Sequence, residues 1–367
     1  MNDLIESLYI HFPFCDSFCS YCDFYKRKWS STDATAMLSS YEEELEQMWQ
    51  KLTALHHRHQ QQIAPLKTLY IGGGSPSLWG KRGAVFLKKF LEGNQILLDE
   101  ACEFTLEVNP RHFEEILPYW QSIGVNRISM GVQSLNQGVM NQLGRKQDFQ
   151  AVERALVALQ ASGINFSIDL LLGVNTKDRN LDLEIEQLLS YNPSHLSAYI
   201  LTPKGTCYKY PLPPEEEIRK EYLHLSLLLT QQGFVHYEVS NFAKKGKESQ
   251  HNLQYWRHNC VAALGHSASG MVGNHRYKWS QKQFKLEKLG EEEIYLERLY
   301  LRLRTNLGLS LEEFFRGKVQ QEKMQELLLE WEKRRYLKAS SPLLCLSPLG
   351  YLMLDSLMDE LFVRVLR

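Results

Sequence analysis

In the first two hundred residues, six short apolar runs of strand character alternate with stretches in which apolar positions return every three or four residues. The runs are SLYIHF (7–12), TLYIGGG (68–74), EFTLEVN (103–109), NRISMGVQ (126–133), NFSIDLLLG (165–173) and HLSAYIL (195–201). The intervals predict helices over about 33–60, 81–92, 112–122, 148–162, 179–190 and 214–232. Repetition of strand then helix predicts an α/β fold with a parallel sheet and right-handed crossovers, and six units suit a partial (β/α)6 barrel. The first helix opens on Ser31-Thr32-Asp33, a supply of N-caps, and closes on the polar run HHRHQQQ (56–62), which reads as a solvated helix end.

The pattern changes after residue 201. PKGTCYKYPLPP (203–214), with four prolines, reads as a connector out of the barrel. From about 284 onward Leu, Glu, Lys and Arg dominate, in helical runs at 291–304, 310–316, 321–335 and 348–362 around a short strand-like pair at 337–347. The expected organisation is a barrel over 1–205, an extension over 206–283 and a mainly helical, winged-helix-like domain over 284–367.

Composition narrows the functional classes. Hydrophobic residues at 44% and charged residues at 23% of 367 positions describe a soluble globular chain, not a disordered or fibrous one. Lys+Arg 42 against Asp+Glu 43 leaves no global basic field, so no nucleic-acid partner is expected. MNDLIESLYI lacks the basic start and apolar core of a signal peptide, and no run reaches the length of a membrane helix, so a cytoplasmic location is expected, with any membrane contact peripheral or through a partner. Seven cysteines, an odd number, argue for reduced thiols with a clustered subset on metal.

That subset is Cys15, Cys19 and Cys22 in FCDSFCSYCDF (14–24). A 4Fe-4S cluster is usually held by four thiolates, so three leave one iron open to an outside ligand. The alternative is a Cys3His zinc site with His11, although no second ligand knuckle follows. The glycines of YIGGGSPS (70–77) fit neither GxGxxG nor a Walker loop, and more simply allow a ligand to approach the backbone closely. Glu107, Gln133 and Asp169 fall at strand ends and Arg145 in a following loop, at the mouth where barrel proteins place their sites.

CxxxCxxC directly after SLYIHF, followed by YIGGGSPS, LEVNPR (106–111), NRISMGVQSLN (126–136), LGRKQ (143–147), DLLLG (169–173), YEVSNFAKKGKESQHNLQYW (237–256) and GHSASG (265–270), resembles the radical SAM superfamily and, within it, the oxygen-independent coproporphyrinogen III oxidase family. The resemblance implies a 4Fe-4S cluster on Cys15, Cys19 and Cys22, with Tyr21 beside them. It also implies S-adenosylmethionine against Tyr9, Gly73, Gly74, Ser75, Glu107, Gln133, Arg145 and Asp169. The chain departs from the family pattern at Val174-Asn175-Thr176-Lys177 and at Thr202-Pro203-Lys204 before Gly205-Thr206.

Within that family the oxidases resemble the pattern CxxxCxxCxC and carry a long N-terminal extension. Here Phe24 takes the fourth position and six residues precede the first strand, which resembles the HemW-like haem-chaperone branch. The resemblance extends to HNxxYW at His251, Asn252, Tyr255 and Trp256, and implies haem as cargo with His251 as axial ligand; His236, His258, His266 and His275 are weaker candidates. A haem-accepting apoprotein, such as a respiratory enzyme at the membrane, is the implied partner, and a homodimer is left open. Rival readings are a coproporphyrinogen dehydrogenase, a radical methyltransferase and a zinc-stabilised binding module.

Overall fold

The computed structural model of the chain describes residues 4–111, 113–145, 148–176, 178–204, 207–280, 283–315, 317–339 and 342–367. Six parallel strands lie side by side in chain order: β1 (Leu4–Phe12), β2 (Gln62–Gly73), β3 (Leu98–Val108), β4 (Arg127–Gln133), β5 (Asn165–Leu172) and β6 (His195–Ile200). The helices that follow them are α1 (Ala34–Arg58), α2 (Gly80–Gly93), α3 (Phe113–Gln121), α4 (Phe149–Ser162), α5 (Leu181–Leu189) and α6 (Glu215–Gln231). The parallel α/β core expected from the alternation is therefore present. Glu107, Asp169 and Tyr199, from β3, β5 and β6, line one cleft, so the sheet is curled.

Residues after 206 extend this sheet at both edges. β7 (Val235–Glu238) and β8 (Asn241–Ala243) continue it antiparallel beyond β6, and β9 (Ala262–Leu264) pairs in parallel with β1. The nine-strand order runs from β9 to β7 without closing, which makes the barrel partial. A three-stranded antiparallel sheet, β10 (Ser269–Val272), β11 (His275–Trp279) and β12 (Phe284–Lys288), packs beside β9. Its first hairpin turns on Gly273-Asn274, with Gly273 at φ +55°, a two-residue turn that favours glycine.

Period-two alternation sorts the strand side chains into two sets. Leu69, Ile71, Phe104, Leu106, Ile128, Met130, Ile168 and Leu170 join a core with the apolar stripes of the helices. The alternate set faces inward and is polar: Thr68, Tyr70, Thr105, Glu107, Arg127, Ser129, Ser167, Asp169, His195 and Ser197. On α1 the buried residues Leu38, Tyr41, Leu45, Met48, Leu52 and His56 recur three or four positions apart, the spacing of one helix face. Asp148 caps α4 by accepting from Gln150 N–H, and Asn180 caps α5 by accepting from Leu183 N–H.

Two further parts hold the inward face in place. A seven-residue helix, α7 (Gln250–Trp256), lies against the interior: Gln250 and His251 N–H both donate to the Glu103 carboxylate at 3.0 Å. At the opposite end, Arg179 (5% exposed) donates to Glu184 at 2.7 Å and Glu221 at 3.0 Å, while Glu184 accepts from Ser134 and Glu221 from Gly173 N–H. This network ties the loops after β4 and β5 together.

A second apolar cluster holds Leu299 and Leu303 of α8 (Glu291–Leu303), Leu327 and Trp331 of α9 (Lys318–Lys333), and Leu357 and Leu361 of α10 (Leu354–Leu361). The single run expected at 348–362 is interrupted at Met353, between a short helix Pro348–Leu352 and α10. The strand-like pair at 337–347 appears as isolated bridges, Leu309 with Leu344 and Leu337 with Leu346. Among the described residues no helix is long and apolar enough to cross a membrane.

The two clusters meet at a buried ion pair. Glu238, fully buried, sits 3.0 Å from Arg304 and accepts from Ser240 N–H and Asn241, while Arg304 lies 4.2 Å over the Trp256 ring. Burial pushes the Glu238 carboxyl above its ordinary range, and Arg304 opposes that shift. Removing one partner of such a pair leaves an uncompensated buried charge, at a cost of about 3 kcal/mol. Arg304→Met is expected to lose about that much unfolding free energy in denaturant titration, and the double variant Arg304→Met/Glu238→Gln to lose clearly less.

Candidate functional site

The chain leaves β1 and pairs Phe14–Cys15 with Arg27–Lys28, closing the intervening loop at its base through Arg27 N–H to Pro13 O (2.7 Å) and Trp29 N–H to Cys15 O (2.8 Å). Cys15 is thereby fixed at the base, and Cys19 and Cys22 sit in a turn within the loop. The Gly72–Ser75 segment is laced against this base, with Gly74 N–H donating to Phe12 O (2.7 Å) and Ser75 N–H to Phe14 O (2.8 Å). A Cβ at Gly74 would stand 2.5 Å from Phe14 O and 3.0 Å from Cys15 Sγ, and Gly73 has φ +112°, so only glycine admits this approach.

The three thiols influence one another. Burial pushes Cys15 up to about 11, a hydrogen bond with Ser75 opposes this, and the neighbouring Cys22 and Cys19 add to it. Cys19 is raised by burial and lowered by Arg145. Among the described residues no three His, Cys, Asp or Glu side chains converge as ligands of one ion do. Three thiols lining one cleft, with Cys15 packed against the Gly74 backbone and no second ligand knuckle, fit an iron–sulfur cluster better than a single zinc. His11 is not available as the fourth zinc ligand: its Nδ1 is bonded to Tyr9 OH at 3.0 Å and its Nε2 to Tyr25 O at 2.9 Å.

Beside the thiols lies a cleft of about 470 Å³. Its floor carries Glu107, whose carboxylate accepts from Tyr70 OH at 2.7 Å and Gly73 N–H at 2.8 Å. Burial lifts Glu107 to about 7, with those two hydrogen bonds holding it down and Asp169 adding to the rise. Such a carboxyl is suited to a cationic partner. Arg145 donates to Asn109 Oδ1 at 2.9 Å and to Gly131 O at 2.5 Å, and Asn109 in turn donates to Ser75 Oγ at 2.6 Å. Asp169 is bonded to Ser129 at 3.1 Å and Ser167 at 3.4 Å, and burial raises its carboxyl. Gln133 has φ +67° where β4 shifts register against β5, a costly conformation for a non-glycine residue at the rim of a site.

Cys15, Cys19, Cys22, Tyr21, Gly73, Gly74, Ser75, Glu107, Gln133, Arg145 and Asp169 all line this cleft. An anion, a guanidinium and a carboxylate beside hydroxyls suit, in turn, the ammonium, carboxylate and ribose of S-adenosylmethionine. Tyr9, expected against S-adenosylmethionine, and His251, expected on haem, are not among its lining residues. Tyr9 is engaged with His11, and His251 is 1% exposed inside the barrel, bonded to Thr68 Oγ1 at 2.8 Å. Burial lowers His251 to about 3, so the ring is neutral.

The expectation of haem ligation by His251 does not fit this geometry, because Nε2 has neither a hydrogen-bond partner nor an opening to solvent. Of the weaker candidates, His236 is bonded to Ser226 at 3.0 Å, and His258 and His266 to Glu297 (3.1 Å) and Glu44 (3.3 Å); His275 sits 4.6 Å from the His59 ring. At the departing loops, Lys204 pairs with Asp23 at 2.8 Å, whereas Lys146, Gln147, Lys177, Gly205 and Thr206 lie outside the described residues. Tyr70, Asn109, Ser129 and Tyr199 were not anticipated. Strand alternation was the available signal, since Tyr70 shares the face of Gly72, and Ser129 that of Gly131.

A carboxyl whose folded value of about 7 lies above its ordinary 4.5 favours the fold at low pH and loses that contribution as pH rises through about 7. Relative to the parent chain, Glu107→Gln without cofactors is expected to gain up to about 3 kcal/mol of unfolding free energy at about pH 8 and little at about pH 5. Equal effects at both values in denaturant titrations would contradict the burial argument.

The profile of the radical SAM superfamily matches residues 9–184. The haem chaperone HemW of Bacillus subtilis (strain 168) is 33% identical over 289 residues, covering 74% of this chain and 72% of that protein. HemW of Haemophilus influenzae (strain ATCC 51907 / DSM 11121 / KW20 / Rd) is 34% identical over 278 residues (72% and 70%), and HemW of Lactococcus lactis subsp. lactis (strain IL1403) is 29% identical over 334 residues (84% of each). The structure of the coproporphyrinogen III oxidase HemN from Escherichia coli, a radical SAM enzyme, superposes with a TM-score of 0.77 at 21% identity, over 98% of this chain and 89% of that one, a likeness of fold. The chain belongs to the HemW family within the radical SAM superfamily.

Proposed function

We propose that this chain is a haem chaperone that holds a 4Fe-4S cluster on Cys15, Cys19 and Cys22, binds S-adenosylmethionine in the adjoining cleft, and passes haem to an apoprotein. The observation that carries the cofactor part is that three thiols, the Gly73–Gly74 backbone and a buried, cation-seeking Glu107 line one cleft. When bound, the cluster supplies an iron for chelation and an electron, and S-adenosylmethionine supplies the sulfonium that can accept it.

The chain's own residues bind and orient. Glu107, held by Tyr70 and Gly73, would receive the ligand's ammonium, Arg145 its carboxylate, and Asp169 would accept from its hydroxyls. Tyr21, bonded to Arg145 at 3.5 Å, lines the cleft beside the thiols. Haem as cargo is supported by the likeness to the HemW haem chaperones. The oxidase reading is disfavoured by Phe24, 63% exposed at the rim of the cleft, where the oxidase pattern has a further cysteine.

Two outcomes are expected. Cys19→Ser should remain soluble and folded but fail to assemble the cluster after anaerobic reconstitution; iron and sulfide contents equal to those of the parent chain would overturn the ligand assignment. The reconstituted parent chain should bind haem in an optical titration yet leave coproporphyrinogen III unconverted under reducing, anaerobic conditions. Catalytic turnover would instead favour the oxidase reading.

A further inference from the structure

The HNxxYW segment forms α7; its His251 is buried, and the half-buried Tyr255 and Trp256 are engaged by neighbours within the molecule. Ser249 caps the helix by accepting from Asn252 N–H at 3.4 Å, and Glu103, which receives the Gln250 and His251 N–H groups, lies 3.9 Å from buried Arg127. Trp256 carries the Arg304 guanidinium at 4.2 Å, and the Tyr255 ring stands edge-on to His251 at 5.5 Å. The His251 ring is stacked on Tyr70, with centroids 5.1 Å apart and planes at 29°, and Tyr9 borders it at 6.2 Å. Thr68 Oγ1, 2.8 Å from Nδ1, fixes the rotation of the ring.

Tyr70 is the side chain that donates to Glu107. Thr68, His251, Tyr70 and Glu107 therefore form one continuous line from α7 to the floor of the cleft. A phenol on a β-strand can swing about its side-chain torsions unless something flat backs it, and only the correct setting places its O–H 2.7 Å from the carboxylate. Gly72 leaves room for this arrangement, since a Cβ there would lie 2.7 Å from Glu107 Oε1.

We propose that His251 is a positioning residue for the S-adenosylmethionine pocket, backing Tyr70 so that Tyr70 holds Glu107 towards the ligand's ammonium, and that it is not an axial ligand of haem. This rests on the assignment of Glu107 to the ligand cation made above. A neutral, sealed imidazole is suited to the backing role, whereas an iron ligand needs an approachable nitrogen.

The test compares His251→Ala, His251→Phe and Thr68→Val with the parent chain, each reconstituted with its cluster, in titrations with S-adenosylmethionine and, separately, with haem. His251→Ala should weaken S-adenosylmethionine binding about tenfold, the scale of a lost aromatic contact, with unchanged iron content. His251→Phe, which keeps a flat ring on Tyr70 and cannot ligate iron, should recover most of that loss. Thr68→Val, which frees the ring without removing it, should weaken binding by about threefold. In all three the haem Soret maximum and haem affinity should match the parent chain.

A shifted Soret band with haem affinity lowered tenfold in both His251 variants would make His251 an iron ligand and overturn the proposal. Unchanged S-adenosylmethionine affinity in His251→Ala would also overturn it. Glu107→Gln is the control for the underlying reading. Strong weakening there without any in His251→Ala refutes the positioning role alone, whereas no weakening in Glu107→Gln refutes the pocket assignment and the proposal with it.

Discussion

The structure turns on a carboxylate kept out of water without a cation of its own. Glu107 stands at the end of β3 with both oxygens engaged by neutral donors, Tyr70 OH and Gly73 N–H, and burial leaves its proton balanced near neutrality. Neutral donors hold such a group in place without cancelling its charge. A cationic ligand would complete the arrangement. The glycines at 72 and 73 make it possible, because any side chain at either would collide with Glu107 or His11. Chemistry and fold are therefore joined at the segment where β2 turns over the cysteine loop.

Around that carboxylate the barrel is built in polar layers instead of an apolar fill. Arg127, buried and facing Glu103, stands level with Tyr70, which stacks on His251; the next layer holds Glu107, Ser129 and Ser167, and the one beyond it Asp169. Buried polar layers are costly unless paired, and here several partners arrive from outside the six parallel units. α7 supplies His251 and two backbone N–H groups, β7 supplies Tyr237 to His195 at 2.8 Å, and α7 is in turn clamped by Arg304 over Trp256. The segment after residue 206 thus finishes the barrel interior, and the helical C-terminal cluster braces it through the Glu238–Arg304 pair.

Much of this was legible in the sequence, for physical reasons. Each of the six helices could be located to within about two residues, because an apolar stripe of period 3.6 against a strand of period two is an unambiguous pattern. Cys15, Cys19, Cys22, Glu107, Arg145 and Asp169, singled out by thiol spacing, strand-end position and the family resemblance, line one cleft. β7, β8 and β9 were not anticipated, since three or four residues cannot establish a period. His251 shows the limit more sharply. A motif reports that a histidine matters but not which way it faces, and its place under Tyr70 depends on a strand 183 positions away in the chain.

The most direct test is the Mössbauer spectrum of the chain reconstituted anaerobically with iron-57 and sulfide, recorded with and without S-adenosylmethionine. Three thiolate ligands predict a 4Fe-4S cluster in which one iron differs from the other three and changes its isomer shift when S-adenosylmethionine is added. Four equivalent irons that ignore the addition, or tightly bound zinc in place of iron, would contradict the account.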